Sequence, residues 1–169
     1  MTNLMYRRRE FSGAIAAALG IPALGVFTPA FAKDTALPVP ASLPEAALTA
    51  AGKGEPLVLL VSLPGCPHCE MVRRNYLLPG RKNGGLQAWQ LSITDATTPL
   101  LAFAGTATTA AAQVKSWNAS FTPTVLFFGP QGQELSERLV GAAIPDFYGA
   151  YLEERVSSAR QALLTRRQA

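Results

Sequence analysis

Leu57-Val58-Leu59-Leu60-Val61-Ser62-Leu63-Pro64-Gly65-Cys66-Pro67-His68-Cys69 is the stretch that decides how this chain folds. From Leu57 to Leu63 it is an almost unbroken apolar run, the pattern of a strand buried on both faces. Pro67 suits the first position of a helix, where its missing N–H costs nothing. Glu70 suits the first turn of that helix, near the positive end of its dipole. The strand therefore delivers a Cys-x-x-Cys pair to a helix N-terminus, the site geometry of thiol–disulfide exchange. Cys66 and Cys69 are the only cysteines of the chain, and its only histidine, His68, lies between them.

The thiolate is the reactive form of cysteine, and three neighbours favour it at Cys66. As N-cap it faces unpaired N–H groups and the helix dipole. Pro67 presets the turn, and His68 can set a positive or hydrogen-bonding ring beside the sulfur. Stabilising that thiolate stabilises the reduced pair and makes the disulfide a better oxidant. Cys66 is expected to be the exposed nucleophile, and Cys69, one turn on and more buried, the resolving thiol. A disulfide across two intervening residues closes too small a loop to brace a fold, so the pair reads as redox chemistry. A haem attachment site needs histidine directly after the second cysteine, where this chain has Glu70. A zinc site needs four ligands, which no second Cys or His pair supplies within a monomer. The competing reading is a dithiol carrier or chaperone for copper or an apo-cytochrome, with copper(I) on the two thiolates and Met71 nearby. The lack of any histidine beyond His68 counts against metal carriage.

Only 15% of the residues are charged and 49% are hydrophobic, part of which comes from the first thirty or so. Arg7-Arg8-Arg9, an apolar run from Phe11 to Phe31 and then Ala30-Phe31-Ala32 have the layout of a secretory signal over residues 1–32, cleaved after Ala32. Arg8-Arg9-Glu10-Phe11 also fits the core of a twin-arginine signal, so both export routes stay open. An uncleaved anchor is the alternative, weakened by Pro22 and Pro29 inside the run. Residues 33–169 are enough for one core, and their twelve Lys and Arg against ten Asp and Glu leave a net charge of +2. That balance, with no basic stripe, does not point to nucleic acid. An exported location allows the cysteines to persist as a disulfide.

Residues 33–54 read as a proline-bearing linker and a short helix over Ala46 to Ala51, capped from Ser42. After the dithiol, a helix is expected to run to about Leu78 and end at Pro79-Gly80. Leu86 to Ile93 alternates like a strand, and Thr94 to Gly105 reads as loop. Thr109 to Ala119 reads as helix and Thr124 to Phe128 as strand. Gly129 to Gln133 reads as a hairpin connection and Leu135 to Val140 as its partner strand. A last helix runs from Pro145 to about Leu164, with Phe147, Tyr151, Leu152 and Val156 on one face. The order gives an α/β fold, a mixed central sheet flanked by helices. Trp89 and Trp117 read as packing residues, Arg73-Arg74 as a solvated helix face, and Arg166-Arg167 as a frayed end.

A strand, Cys-x-x-Cys, a helix, and later Phe121-Thr122-Pro123-Thr124 before an apolar strand together resemble the thioredoxin superfamily over about Glu55 to Leu164, placing the domain at 55–165. The resemblance implies a cis proline at Pro123 lying against the active disulfide. It also implies that the backbone of Thr122 pairs with a bound substrate strand. Gly132 and Gly141 fall where the family has its hairpin turn and a glycine near the active surface. Pro67-His68 is similar to the dipeptide of the DsbA-type periplasmic oxidants, but those carry a large helical insertion before the cis proline. Here Pro123 follows Cys66 by 57 positions, closer to the exported, single-domain SoxW-like thioredoxins. The dithiol and the resemblance together imply a periplasmic protein thiol–disulfide oxidoreductase. Its catalytic residues are Cys66, Cys69, His68 and Pro67, and Thr122 and Pro123 bind substrate. No metal or organic cofactor is expected beyond the redox-active disulfide. The expected partners are protein thiols and disulfides and a membrane redox protein, with the chain itself a monomer. The chain departs from the family twice. Gly65 stands where tryptophan usually precedes the first cysteine, and Leu60 stands where many members bury a carboxylate. Without that acid to take the Cys69 proton, release of mixed disulfides is expected to be slow.

Overall fold

Every backbone group of a buried strand must be paired, and the chain meets that demand by setting its most apolar strand in the middle of a sheet. The computed structural model describes residues 35–142 and 145–168. Its elements are α1 (Leu43–Gly52), β1 (Leu57–Ser62), α2 (Pro67–Val72), a π-helical turn (Arg73–Leu77), α3 (Leu78–Lys82), β2 (Gln87–Ser92), β3 (Pro99–Leu101), β4 (Ala107–Thr109), α4 (Ala110–Ser116), β5 (Thr124–Phe128), β6 (Leu139–Val140) and α5 (Pro145–Gln168). The main sheet has the order β2-β1-β5-β6, with β1 and β2 parallel and the other pairs antiparallel. This is the expected mixed sheet.

All six residues of β1 are buried, and their period of two divides them between two cores. Val58 and Leu60 join Val125 and Phe127 under α5 and the α2–α3 segment. Leu57, Leu59 and Val61 join Leu126 and Phe128 under α1 and α4. Helices thus cover both faces of one sheet. Ser42 caps α1 as expected, its Oγ accepting from the Glu45 N–H at 3.3 Å. The segment before it is extended but docked. Leu37 is buried, and the carbonyls of Pro38 and Ala41 accept from the N–H groups of Gln90 and Leu101. Trp117 stacks on Phe128 at 4.8 Å between ring centres, and the Arg81 guanidinium lies 4.8 Å over the Trp89 ring. Both tryptophans pack against the α1–α4 core.

Six expectations need correction. The active helix does not stop at Pro79-Gly80. Proline in a helix lacks a donor and collides with the carbonyl four residues back, and the chain meets this by widening the preceding turn to π geometry, after which α3 continues through both residues. The region from Thr94 to Gly105 is not all loop, because β3 pairs with β4 in a small separate sheet, Leu100 opposite Thr108. The strand expected over Leu135 to Val140 is reduced to β6, with one isolated bridge between Phe128 and Glu134. The buried face of α5 is Tyr148, Leu152, Val156, Ala159 and Leu163, while Phe147 and Tyr151 are exposed. The helix also continues past Leu164 through Arg166 to Gln168. Finally, Arg73 is buried, whereas Arg74 is exposed as expected.

Candidate active site

Leu63-Pro64-Gly65-Cys66 is a tight turn, closed by the Cys66 N–H donating to the Leu63 carbonyl at 3.2 Å. Pro64 and a positive φ of 74° at Gly65 are the signature of a type II turn. That geometry accounts for glycine where the family usually has tryptophan, since a side chain is disfavoured there. The turn sets Cys66 as the N-cap of α2, where its Sγ accepts from the Cys69 N–H at 3.2 Å. Pro67 follows at the helix start. Cys66 and Cys69 are joined as a disulfide, with Cα atoms 5.3 Å apart. Cys69 is fully buried, Cys66 half-buried, and Pro67 and His68 are exposed. The pair is thus unequal, a half-buried Cys66 bonded to a fully buried Cys69.

The other expected site residues come to the same end of the sheet by register. β5 runs antiparallel to β1, with Thr124 opposite Val61, so Pro123 lies beside the exit of β1 toward the dithiol. The Thr122–Pro123 bond is cis. The Pro123 carbonyl accepts from the Gly141 N–H at 2.7 Å, and Val140 pairs with Thr124. A Cβ placed on Gly141 would sit 3.3 Å from the Phe121 ring, so that ring lies over the glycine. Three apolar side chains at this end are exposed, Leu63, Phe121 and Val140. A surface cavity of about 440 Å³ lies instead by the β3–β4 hairpin, lined by Phe103, Gln113 and Trp117, and includes none of these residues.

Sequence reasoning missed the surroundings of Leu60. That side chain is buried in the core and its register partner on β2 is Gln90. Gln90 Oε1 accepts from Nε of Arg73 at 2.7 Å. The Arg73 guanidinium also pairs with Glu70, which reaches Arg74 as well at 3.3 Å. Glu70 is therefore tied into an ion-pair cluster. The signal that could have found this was spacing: Arg73 stands four residues after Cys69, on the same helix face. Among the described residues, no group of three or more His, Cys, Asp or Glu is placed to hold a metal ion. No helix of the described residues is long and apolar enough to cross a membrane.

Residues 43–155 match the model of the family described as Thioredoxin-like domain. No curated protein gives a significant match. Among solved structures, a poplar thioredoxin h is 18% identical, over 65% of this chain and 85% of that one, with a TM-score of 0.46. The oxidised thioredoxin O2 of Arabidopsis thaliana is 16% identical over 72% and 96%, with a TM-score of 0.47. The reduced periplasmic thioredoxin SoxS of Paracoccus pantotrophus is 21% identical over 62% and 99%, with a TM-score of 0.39.

Proposed function

This chain belongs to the thioredoxin-like family, whose chemistry rests on a redox-active disulfide without a further cofactor, and from that premise we propose that it is an exported oxidoreductase exchanging disulfides with protein substrates. The observation that carries the reading is the unequal pair: a half-buried Cys66 capping α2, bonded to a fully buried Cys69. A substrate thiolate reaches only Cys66. Its attack joins the substrate sulfur to Cys66 and expels Cys69 as thiolate. A second substrate thiolate then attacks the first, forms the substrate disulfide and leaves the reduced dithiol. The reductive direction reverses these steps. Pro67 and His68 shape and tune the Cys66 side. Thr122 and Pro123, flanked by the exposed Leu63, Phe121 and Val140, offer an apolar, strand-like docking edge suited to an extended protein segment.

Export, and a periplasmic monomer working with a membrane redox partner, rest on residues 1–32 as signal and on the likeness of the motifs to the SoxW-like group. The test is turnover of insulin reduction in metal-free buffer. The wild type is expected to turn over and C66S to lose activity, while C69S accumulates a mixed disulfide with substrate. Equal activity of C66S and the wild type would sink the assignment, and no metal-free turnover with tight copper(I) binding would favour the carrier. Export is checked by the N-terminus of the protein recovered from a host periplasm, expected at Lys33.

A further inference from the structure

Arg73 is the only charged residue buried among the described residues, and the exchange chemistry above does not use it. Its backbone N–H donates to the carbonyl of Cys69, one helical turn earlier. Helical side chains lean toward the N-terminus, over the preceding turn. Arg73 leans that way, because its guanidinium meets Glu70 three residues back. On its other side it is held by Gln90, the register partner of Leu60. The guanidinium is therefore clamped between the turn that carries Cys69 and the strand pair at the position where a carboxylate was expected.

The charges around this point do not cancel. The Glu70 side chain is 42% exposed and is shared with Arg74, whereas the Arg73 side chain is 9% exposed. Water screens the acid more than the base. From the sheet no titratable side chain opposes the guanidinium, because β1, β2 and β5 carry none. From α5, Tyr148 enters the shared core, and burial, with Tyr76 adding, holds its phenol neutral. Asp146, Glu153 and Glu154 of α5 are exposed, as are His68 and Arg74. An arginine is charged at any accessible pH.

We propose that Arg73 is a positioning residue that sets positive charge behind the resolving thiol and favours the Cys69 thiolate. It cannot take the proton, so the Cys69 proton leaves to water and the guanidinium stabilises the anion left behind. In the reductive direction that anion attacks Cys66 within the mixed disulfide. The Cys66–Cys69 bond forms, the Cys66–substrate bond breaks, and the substrate departs as a thiolate that is protonated by solvent. The dithiol loses two electrons and the substrate disulfide gains them.

This inference rests on the proposed exchange reaction, but its test needs no substrate. In the reduced C66A protein, Cys69 is the only thiol, and its ionisation is followed by the ultraviolet absorbance of the thiolate against pH. R73M is expected to lower the thiolate fraction about tenfold at a fixed pH below the midpoint, the size expected when one opposite charge is removed. R73K should restore most of the loss, and E70Q should move the titration the opposite way. An unchanged titration in R73M, or the same direction of change in R73M and E70Q, overturns the proposal. If R73M does not fold, E70Q decides: a lower thiolate fraction or no change overturns the proposal, and a higher one supports it. Failure here with insulin reduction intact removes the role of Arg73 alone. The expected shifts without insulin reduction remove the proposed function and leave the charge effect standing.

Discussion

At Gly65 the cost of a side chain is separable from everything else. The residue has a φ of 74°, and a Cβ there would meet nothing within 4 Å. A substitution therefore pays only for left-handed backbone, about 1 kcal/mol for alanine and less for asparagine, which tolerates that region. Chemical denaturation of G65A and G65N should rank them in that order below the wild type; equal loss in both would mean that the turn is not type II in solution. Asp95 gives a pH test of the same kind. Its carboxylate accepts from the N–H groups of Thr98 at 2.9 Å and Thr97 at 3.1 Å, and these bonds, Thr98 first, hold its pKa below the usual value. A depressed folded pKa contributes stability that is present above the unfolded value and lost as pH falls through the folded one. D95A should thus be less stable than the wild type at neutral pH. The gap should close in acid, below the ordinary carboxylate range, and a gap independent of pH would assign the effect to backbone geometry instead.

Among the elements, legibility followed how local the causes were. β1 and the start of α2 were readable because an apolar run, a Pro-Gly turn and a proline at the helix start dictate their structure from within. The Cys66 and Cys69 positions followed from them, whereas the place of Pro123 was implied by the family resemblance. β3 and β4 were not readable, since three residues such as Ala107-Thr108-Thr109 hold no periodicity; their pairing is a tertiary event. On α5 two apolar stripes compete, and only the packing of Tyr148, beside Tyr76 at 5.2 Å between ring centres, selects one. Arg73 was misread because its burial depends on Gln90, seventeen residues away. The continuation of the active helix through Pro79 likewise brings Gly80 against a distant residue, Leu86. A Cβ on Gly80 would sit 2.5 Å from Leu86 Cδ1, so the glycine is there for close approach of the α3–β2 connection. G80A is expected to cost 1–3 kcal/mol, about the range for overpacking. L86A in the same background should recover part of that cost in a double-mutant cycle; strictly additive losses would show that the two do not touch.

For the whole molecule, redox poise and stability are one quantity. Oxidation and unfolding form a closed cycle, so any preference of the folded protein for dithiol over disulfide must appear as greater stability of the reduced form. The fold supplies the dithiol with an N-cap for Cys66 and, on the inference above, a buried cation for Cys69. The unfolded chain supplies neither, and its disulfide closes only a short loop. The reduced protein is therefore expected to withstand more urea than the oxidised protein, by about 1.4 kcal/mol for every 30 mV by which the folded couple is more oxidising than the unfolded one. The potential itself should lie above the thioredoxin value of about −270 mV, toward the DsbA-type oxidants at about −120 mV. Measuring both closes the cycle and tests each number against the other. An oxidised protein that is the more stable, with a potential at or below thioredoxin's, would mean that the site holds the disulfide rather than the thiolates, and that the chain works as a reductant despite His68.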